Sequence, residues 1–511
     1  MTSAPQWYHN AVFYQALVHA FKDSNGDGIG DLRGITSKLD YLQWLGIDCL
    51  WLPPFYASPL RDDGYDISDY YAINPVYGTM EDLEELIAEI HARGMRVITD
   101  LALNHTSSDH HWFQESRRDP HGPYGDYYVW GLDPERYPEI RVIFTDTESS
   151  NWAWDDVREQ YYFHRFYSHQ PDLNYDNPRV HEEVLDVIRF WLGKGIDGFR
   201  LDAIPYLYER DGVGGESLPE TVAFVEKVRE LIDAEFPGAV MIAEANQPPR
   251  ETMDFYGTGN RFHMVFNFPL MPRLFEAMAT GSATPIYDIL DELTDLGGLP
   301  GADGFPAGCQ WGTFLRNHDE LTLEMVSDEA REGFYSAYVD DAADRAHAGI
   351  AKRLAPLMRG DRRKIELMFS LLLSLPGAPF IYYGDEIGMG DVTALPDRYA
   401  VRTPMLWDES AGHGFSDAAE TRLPFAAGES VAAQQLDDAS LLHALRALIA
   451  QRKAHPELGT APYEAVETGV DAVLAFQRGG LLCLHNFGNT TVDLGPVELG
   501  PYGYAWLPVE D

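Results

Sequence analysis

From residue 11 onward the chain alternates short apolar runs with longer stretches in which apolar positions recur every three or four residues. Residues 11–18 and 49–53 read as buried strands, and between them 35–45 carries helical spacing closed by Gly46. Thr79 is placed to cap a second helix whose apolar face is Leu83, Leu86, Ile87 and Ile90; Gly94 ends it, and 95–103 is the third strand. Strands joined through helices build a parallel sheet, because each crossover must return along one face before the next strand starts.

The alternation breaks at 105–174, a stretch rich in Asp, Tyr, Trp, His and Pro and far longer than a connection in a compact domain usually is. It resumes with a helix at 182–192, a strand at 198–201, a helix at 218–236 and a strand at 240–243. Further strand-like runs lie at 263–266, 311–315 and 379–383, the last preceded by a helix at 364–375. About eight strands with their helices favour a closed barrel over an open doubly wound sheet. The expected fold class is therefore α/β, a (β/α)8 TIM barrel with an inserted domain after strand three. Beyond 407, a helix at 440–453 and short strands at 473–477 and 481–486 predict a small antiparallel β domain. The expected division is a barrel of 1–104 and 175–407, an insert of 105–174 and a shortened C-terminal domain of 408–511.

Charge narrows the partners. Lys and Arg total 38 against 81 Asp and Glu, a formal charge of −43 that repels phosphate backbones and anionic lipid, so neither nucleic acid nor membrane is an expected partner. Cys49, Cys309 and Cys483 lie far apart in apolar runs, which reads as reduced, buried thiols of a cytoplasmic protein. Residues 1–10 lack a basic segment followed by an apolar run, and no uninterrupted apolar stretch reaches membrane length. Nothing in the sequence sets the oligomeric state, a homo-oligomer included.

In a barrel, side chains at the C-terminal ends of the strands converge on one face. Four predicted ends are rich in chemistry: Asp100 to His105 after strand three, Arg200 and Asp202 in strand four, Glu244 and Asn246 after strand five, and His318, Asp319 and Glu320 after strand seven. Any one of these acids alone is more simply a capping or salt-bridged carboxylate. Together they supply what retaining glycosyl transfer needs, one ionised carboxylate and one protonated carboxylic acid across the scissile bond. Asp202 and Glu244 come from adjacent strands. Arg200, two residues before Asp202, points the same way along a strand and would keep it ionised, while an apolar wall and Asp319 would raise Glu244 toward neutrality. His105 and His318 are natural donors to sugar hydroxyls.

The segments DLALNH, GFRLDA, EAN and FLRNHDE, in that order, resemble the four signature regions of glycoside hydrolase family 13, the α-amylase family. The resemblance implies that Asp202 is the nucleophile, Glu244 the acid/base and Asp319 the stabiliser of the transition state, with Arg200, His105 and His318 lining the first glucose subsite. DDGYD at 62–66 and VRTP at 401–404 are similar to the exo-acting branch, which implies that Asp62 and Arg402 clamp the end of the substrate and that Tyr65 stacks beneath it. Longer runs, among them SPLRDDGYDI, HRFYSHQPDLNYDNP and FSLLLSLPGAPFIYYGDEIGMGD, are most similar to the family's trehalose synthases and cover residues 7–407. That branch isomerises maltose to trehalose with some hydrolysis, so the implied partners are small α-glucosides. An α-glucosidase or a transglucosylase using water or another acceptor shares the same residues, and family members that have lost catalysis would lack one of the three acids. Pro248 and Leu406 depart from the branch's usual residues and are expected at the pocket rim.

Two metal sites are expected, and no organic cofactor. Asp23, Asn25, Asp27, the carbonyl of Ile29 and Asp31 alternate as in the first half of an EF-hand loop, which suits Ca²⁺ or Mg²⁺, although the closing Glu is replaced by Gly34 and a polar turn would use the same residues. The second is implied by the resemblance alone: Asn104, Asp172, the carbonyls of Tyr206 and Leu207, and Glu209 match a calcium site of trehalose synthases.

Overall fold

A computed structural model describes residues 6–495 and 497–509, so the first half of the segment read for a leader, residues 1–5, lies outside the described residues. Eight parallel strands close a barrel: β1 (Phe13–Gln15), β2 (Cys49–Leu52), β3 (Arg96–Ala102), β4 (Gly198–Asp202), β5 (Val240–Ala243), β6 (Met264–Phe266), β7 (Gln310–Phe314) and β8 (Ala378–Tyr382). Each pairs with its neighbours in sequence, and β1 closes on β8 through Phe13 opposite Phe380. The TIM barrel expected from the pattern is therefore the fold.

Aromatic packing fills the interior. Phe13 stacks on Phe380 with ring centroids 4.2 Å apart, and Trp51 and Phe266 pack beside them. Gly312 of β7 is required there, since a Cβ would sit 3.0 Å from the Phe380 ring and 3.1 Å from Phe266. The helix at Met80–Ala92 starts where expected, with Thr79 and Asp82 forming a capping box. The helix expected at 35–45 is instead two, Leu32–Thr36 and Leu39–Leu45. Asp31 caps the first by accepting from the Gly34 N–H at 2.6 Å, and the Ser37 hydroxyl donates back to the Gly34 carbonyl and ends it early.

Two excursions reach over the C-terminal end of the barrel. The one after β3 carries the helix His111–Arg118 and a three-stranded antiparallel sheet of Trp130–Gly131, Gln160–Phe163 and Trp152–Asp155, with its own small core of Val129, Ile140, Trp152 and Phe163. Bridges from His105 to Asp172 and from Tyr128 to Leu173 pin its two ends together. The one after β7 forms a small sheet from Leu321–Thr322, Gly349–Ile350 and Arg345–Ala346. At the other end of the chain, Tyr463–Ala465, Val473–Arg478, Leu481–Asn486 and Tyr504–Pro508 form an antiparallel sheet. It docks on the helix Arg362–Ser374, where the Ser370 hydroxyl meets His485 at 2.9 Å and accepts from Trp506 Nε1 at 2.9 Å. All three cysteines are buried and unpaired, and no helix among the described residues is long and apolar enough to cross a membrane.

Candidate active site

Parallel register assembles the floor of the site. Asp100 of β3 lies opposite Arg200 of β4, and Arg200 opposite Ile242 of β5, so Glu244, the residue after β5, falls beside the Arg200 guanidinium. That one guanidinium bonds Asp100 Oδ2 and Asp202 Oδ1, each at 2.8 Å, through Nη1, and Glu244 Oε1 through Nη2. Asp202 and Glu244, from the ends of adjacent strands, are thus held on the same guanidinium, the pairing of two carboxyl groups that retaining glycosyl transfer requires. The chain leaves Asp202 through Ala203 at φ 52°, a strained left-handed conformation that turns the Ala203 N–H toward Glu244 Oε2, 3.2 Å away.

These contacts divide the acids by protonation. Burial pushes Asp202 up to about 6, with Arg200 opposing the push. Glu244 is raised further, to about 8, again by burial; Arg200 works against the rise, while Asp202 and Asp319 add to it. Asp319 goes the other way. Burial alone would raise it, but Arg398 bonds its Oδ1 at 2.9 Å and Arg402 bonds the same oxygen at 3.2 Å, holding it well below the ordinary carboxylate range. The site therefore keeps one carboxylic acid protonated near neutral pH beside two ionised carboxylates.

Above this floor is a cavity of about 160 Å³. At roughly 10–15 Å³ per water it has room for a small sugar. Asp62, Tyr65, His105, Asp202, Glu244, His318 and Asp319 all line it. His105 is 2% exposed and leaves both ring nitrogens without a protein partner; burial lowers it to about 3, so it is a neutral imidazole with free hydrogen-bonding capacity. His318 differs from expectation, since Gln15 holds its Nδ1 at 2.8 Å and the Tyr65 hydroxyl holds its Nε2 at 2.7 Å. The Gln15 amide donates to Nδ1, which fixes the tautomer with the proton on Nε2.

Arg402 is a correction. The expected clamp between Asp62 and Arg402 does not form: Asp62 pairs with Arg398 at 3.1 Å, and Arg398, not Arg402, lines the cavity. The 3-10 turn Asp397–Val401 presents Arg398 to the cavity and carries Arg402, four residues on, behind the site. There Arg402 donates to Asp63, to the His318 carbonyl and to Asp319. The signal for Arg398 was present in the sequence, an arginine in the same turn, but spacing alone gave no reason to choose between the two. Pro248 and Leu406 do not line the cavity; Leu406 is 1% exposed, and Pro248 is the N-cap residue of the helix Pro249–Asp254.

The rim is built by the two excursions. Ile143, Phe144, Phe166 and Gln170 come from the first and Thr322 and Glu324 from the second, while Tyr206 and Asn246 follow β4 and β5. Arg141 ties them together, donating to Glu216 at 2.8 Å and to Glu324 at 2.9 Å; Asn246 also reaches Glu324 at 3.3 Å, and Gln247 reaches Glu216 at 3.0 Å.

The candidate metal positions behave differently from each other. In the 23–31 loop, the side-chain oxygens of Asp23, Asn25, Asp27 and Asp31 all accept hydrogen bonds from the loop and its neighbours, an arrangement common to a polar turn and to a cation-binding loop. Between the insert and β4, both side-chain atoms of Asn104, Oδ2 of Asp172 and Oε1 of Glu209 are buried without a partner. Burial raises Asp172 to about 7 and Glu209 well above its ordinary value. No cluster of three or more His, Cys, Asp or Glu suited to a metal occurs among the described residues, and this second set reaches three only by counting Asn104.

Comparison with known proteins agrees with the geometry. The trehalose synthase/amylase TreS of Mycobacterium tuberculosis is 52% identical over 99% of this chain and 86% of its own length, and the trehalose synthase of a Pimelobacter species is 48% identical over 99% and 91%. Among solved structures, the α-glucosyl transfer enzyme XgtA superimposes with a TM-score of 0.80 at 30% identity, covering 99% of this chain and 98% of its own. The trehalulose synthase MutB of Pseudomonas mesoacidophila does so with a TM-score of 0.80 at 28% identity, covering 99% and 100%. The alpha-amylase catalytic-domain family matches residues 15–337 and 347–461, and with a barrel of that architecture carrying this constellation of acids, the chain belongs to the alpha-amylase family.

Proposed function

We propose that this chain isomerises maltose to trehalose by retaining α-glucosyl transfer, with some hydrolysis. The observation that carries the proposal is the pairing of Asp202 with a protonated Glu244 on one guanidinium, inside a small cavity whose rim is bridged by Arg141 between Glu216 and Glu324. Similarity to trehalose synthases over nearly the whole chain supports it.

Arg200 holds Oδ1 of Asp202, leaving Oδ2 to attack the anomeric carbon of the non-reducing glucose. As that bond forms, the glycosidic C–O bond breaks and Glu244 gives its proton to the departing glucose oxygen. The freed glucose stays in the cavity. Its anomeric hydroxyl attacks the glucosyl–Asp202 ester, Glu244 takes that proton back, and Asp202 leaves as the carboxylate. Water in place of glucose gives hydrolysis, so the Arg141 seal sets the ratio of the two products. Asp319 and His105 bond the ring hydroxyls as positive charge builds on the sugar, and Asp62 with Arg398 closes the far end over Tyr65.

Asn104, Asp172 and Glu209, with the carbonyls of Tyr206 and Leu207, form a hard-oxygen set whose orphaned atoms fit Ca²⁺, which would tie the insert to the loop after Asp202. The division into a barrel of 1–104 and 175–407, an insert of 105–174 and a C-terminal domain of 408–511 is the frame for this reading. The buried, unpaired thiols suit a reducing cytoplasm.

The test is incubation with maltose, following trehalose and glucose over time. Trehalose as the main product is expected; glucose alone would overturn the isomerase reading and leave the double displacement standing. Asp202→Asn should abolish both products.

A further inference from the structure

We propose that Asp63 is a positioning residue for Asp319, acting through Arg402, and that Arg422 anchors it from the segment after the barrel. The inference rests on the reading of Asp319 as the carboxylate that stabilises the transition state.

Asp63 does not line the sugar cavity. It lies beneath it, against a void of about 10 Å³ shared with His19, Tyr77 and Arg402, and it is 7% exposed. Its Oδ2 accepts from Arg402 Nη1 at 2.6 Å, and its Oδ1 accepts from Arg422 Nη2. Arg402 in turn spends each nitrogen on a different partner: Nη1 on Asp63, Nη2 on Asp319 Oδ1 at 3.2 Å, and Nε on the His318 carbonyl at 2.8 Å. A planar guanidinium bonded on three sides cannot rotate, so Asp63 sets the direction from which Arg402 meets Asp319. Arg398 takes the same Oδ1 from the other side. With both arginines on one oxygen, Oδ2 of Asp319 is left to the sugar.

Charge makes the arrangement interdependent. Arg398, Arg402 and Arg422 are paired with Asp62, Asp63, Asp319 and Asp397. Burial would raise Asp63, yet Arg402 and Arg422 keep it ionised. Arg422 is itself fixed to the 23–31 loop, where its N–H donates to the Gly28 carbonyl at 3.0 Å and the backbone approaches so closely that a Cβ on Gly28 would sit 2.3 Å from the Glu420 carbonyl oxygen. The relay thus runs from a turn near the N-terminus, through the segment after the barrel, to the acid beside the reacting sugar.

Asp63→Asn, assayed on maltose in the full-length protein, should lower kcat by about ten- to a hundredfold while KM stays within about threefold, because the groups that hold the ground-state sugar are untouched and only the aim of Asp319 is lost. Asp63→Asn/Arg422→Gln restores the charge balance and should remain as slow as the single variant; recovery of kcat would mean that Asp63 only compensates charge and would overturn the proposal. If Asp63→Asn does not fold, Arg422→Gln decides: kcat reduced by about threefold or more supports the relay, and kcat unchanged refutes it. Asp319→Asn separates the two readings. A fully active Asp319→Asn defeats the role of Asp319, whereas an inactive one beside an unimpaired Asp63→Asn defeats the relay alone.

Discussion

Replacing Arg398 by Ala tests the feature that distinguishes this site from the one expected on sequence. Its side chain is 11% exposed and donates two charge-assisted hydrogen bonds, to Asp319 at 2.9 Å and to Asp62 at 3.1 Å. Each such bond is worth about 1.5–3 kcal/mol. Arg402 remains on Asp319 and the Gln170 amide remains on Asp62 at 2.9 Å, so part of the loss is recovered. A net loss of about 3–4 kcal/mol corresponds to about two to three orders of magnitude in kcat/KM. The loss should fall on KM as well as kcat, because Arg398 lines the cavity while Arg402 does not. Arg398→Lys should rescue little, since one ammonium cannot span both carboxylates. The pH dependence has a definite sign. Asp319 has a folded pKa below its unfolded one, so its pairing contributes stability above the unfolded carboxylate range, and that stability is lost as pH falls through the folded value. Without Arg398 the folded value rises and the acid limb moves to higher pH. Initial rates of trehalose plus glucose formation from maltose measure the effect, and an Arg398→Ala enzyme within about fivefold of the parent would refute the clamp as drawn.

Arg141→Ala should leave melting temperature nearly unchanged, because its side chain is 40% exposed and such pairs contribute at most about 1 kcal/mol, yet it should raise the glucose-to-trehalose ratio by about twofold or more by opening the rim to water. An unchanged product ratio would show that Arg141 does not form the seal. With Glu244 at about 8, activity should decline on the alkaline side as that proton is lost, and Glu244→Gln, while inactive, should melt at a higher temperature than the parent near pH 8. The sign follows from its raised folded pKa: the stability that Glu244 contributes is complete below the unfolded value and is lost as pH rises through about 8. A Glu244→Gln protein that loses as much stability between pH 5 and pH 8 as the parent would contradict that. Chelation should lower the melting temperature of the parent and have no effect on Asp172→Asn/Glu209→Gln, read by thermal scanning; equal sensitivity in both proteins would place the cation elsewhere.

The barrel and its three acids were legible in one dimension for a physical reason. Strand alternation and helix periodicity are local, and the acids that matter sit within a few residues of strand ends, as Asp202 and Glu244 do. Parallel pairing then has little choice but to bring them together, since the register that buries β3, β4 and β5 also sets Asp100, Arg200 and Glu244 side by side. Arg398 and Arg402 were not distinguishable in the same way. They lie four residues apart in an irregular turn, with no period to assign one inward and the other behind, and the choice was made by contacts from Asp62, Asp63 and Asp319, on two segments distant in sequence. The same holds for the rim. Pro248 and Leu406 were conspicuous in the sequence but lie away from the cavity, while Arg141 and Glu324, inconspicuous in it, meet across two excursions.

The sequence by itself determined the architecture and which acids end adjacent strands, because both depend on short-range pattern and on register that hydrophobic burial enforces. Only the tertiary structure decided the extent to which Glu244 is raised, the partner of Asp62 and the residues that bridge the rim. Each of these is an electrostatic balance among groups that burial forces into contact across long stretches of chain, and no local pattern encodes which of several nearby charges will be the one in reach.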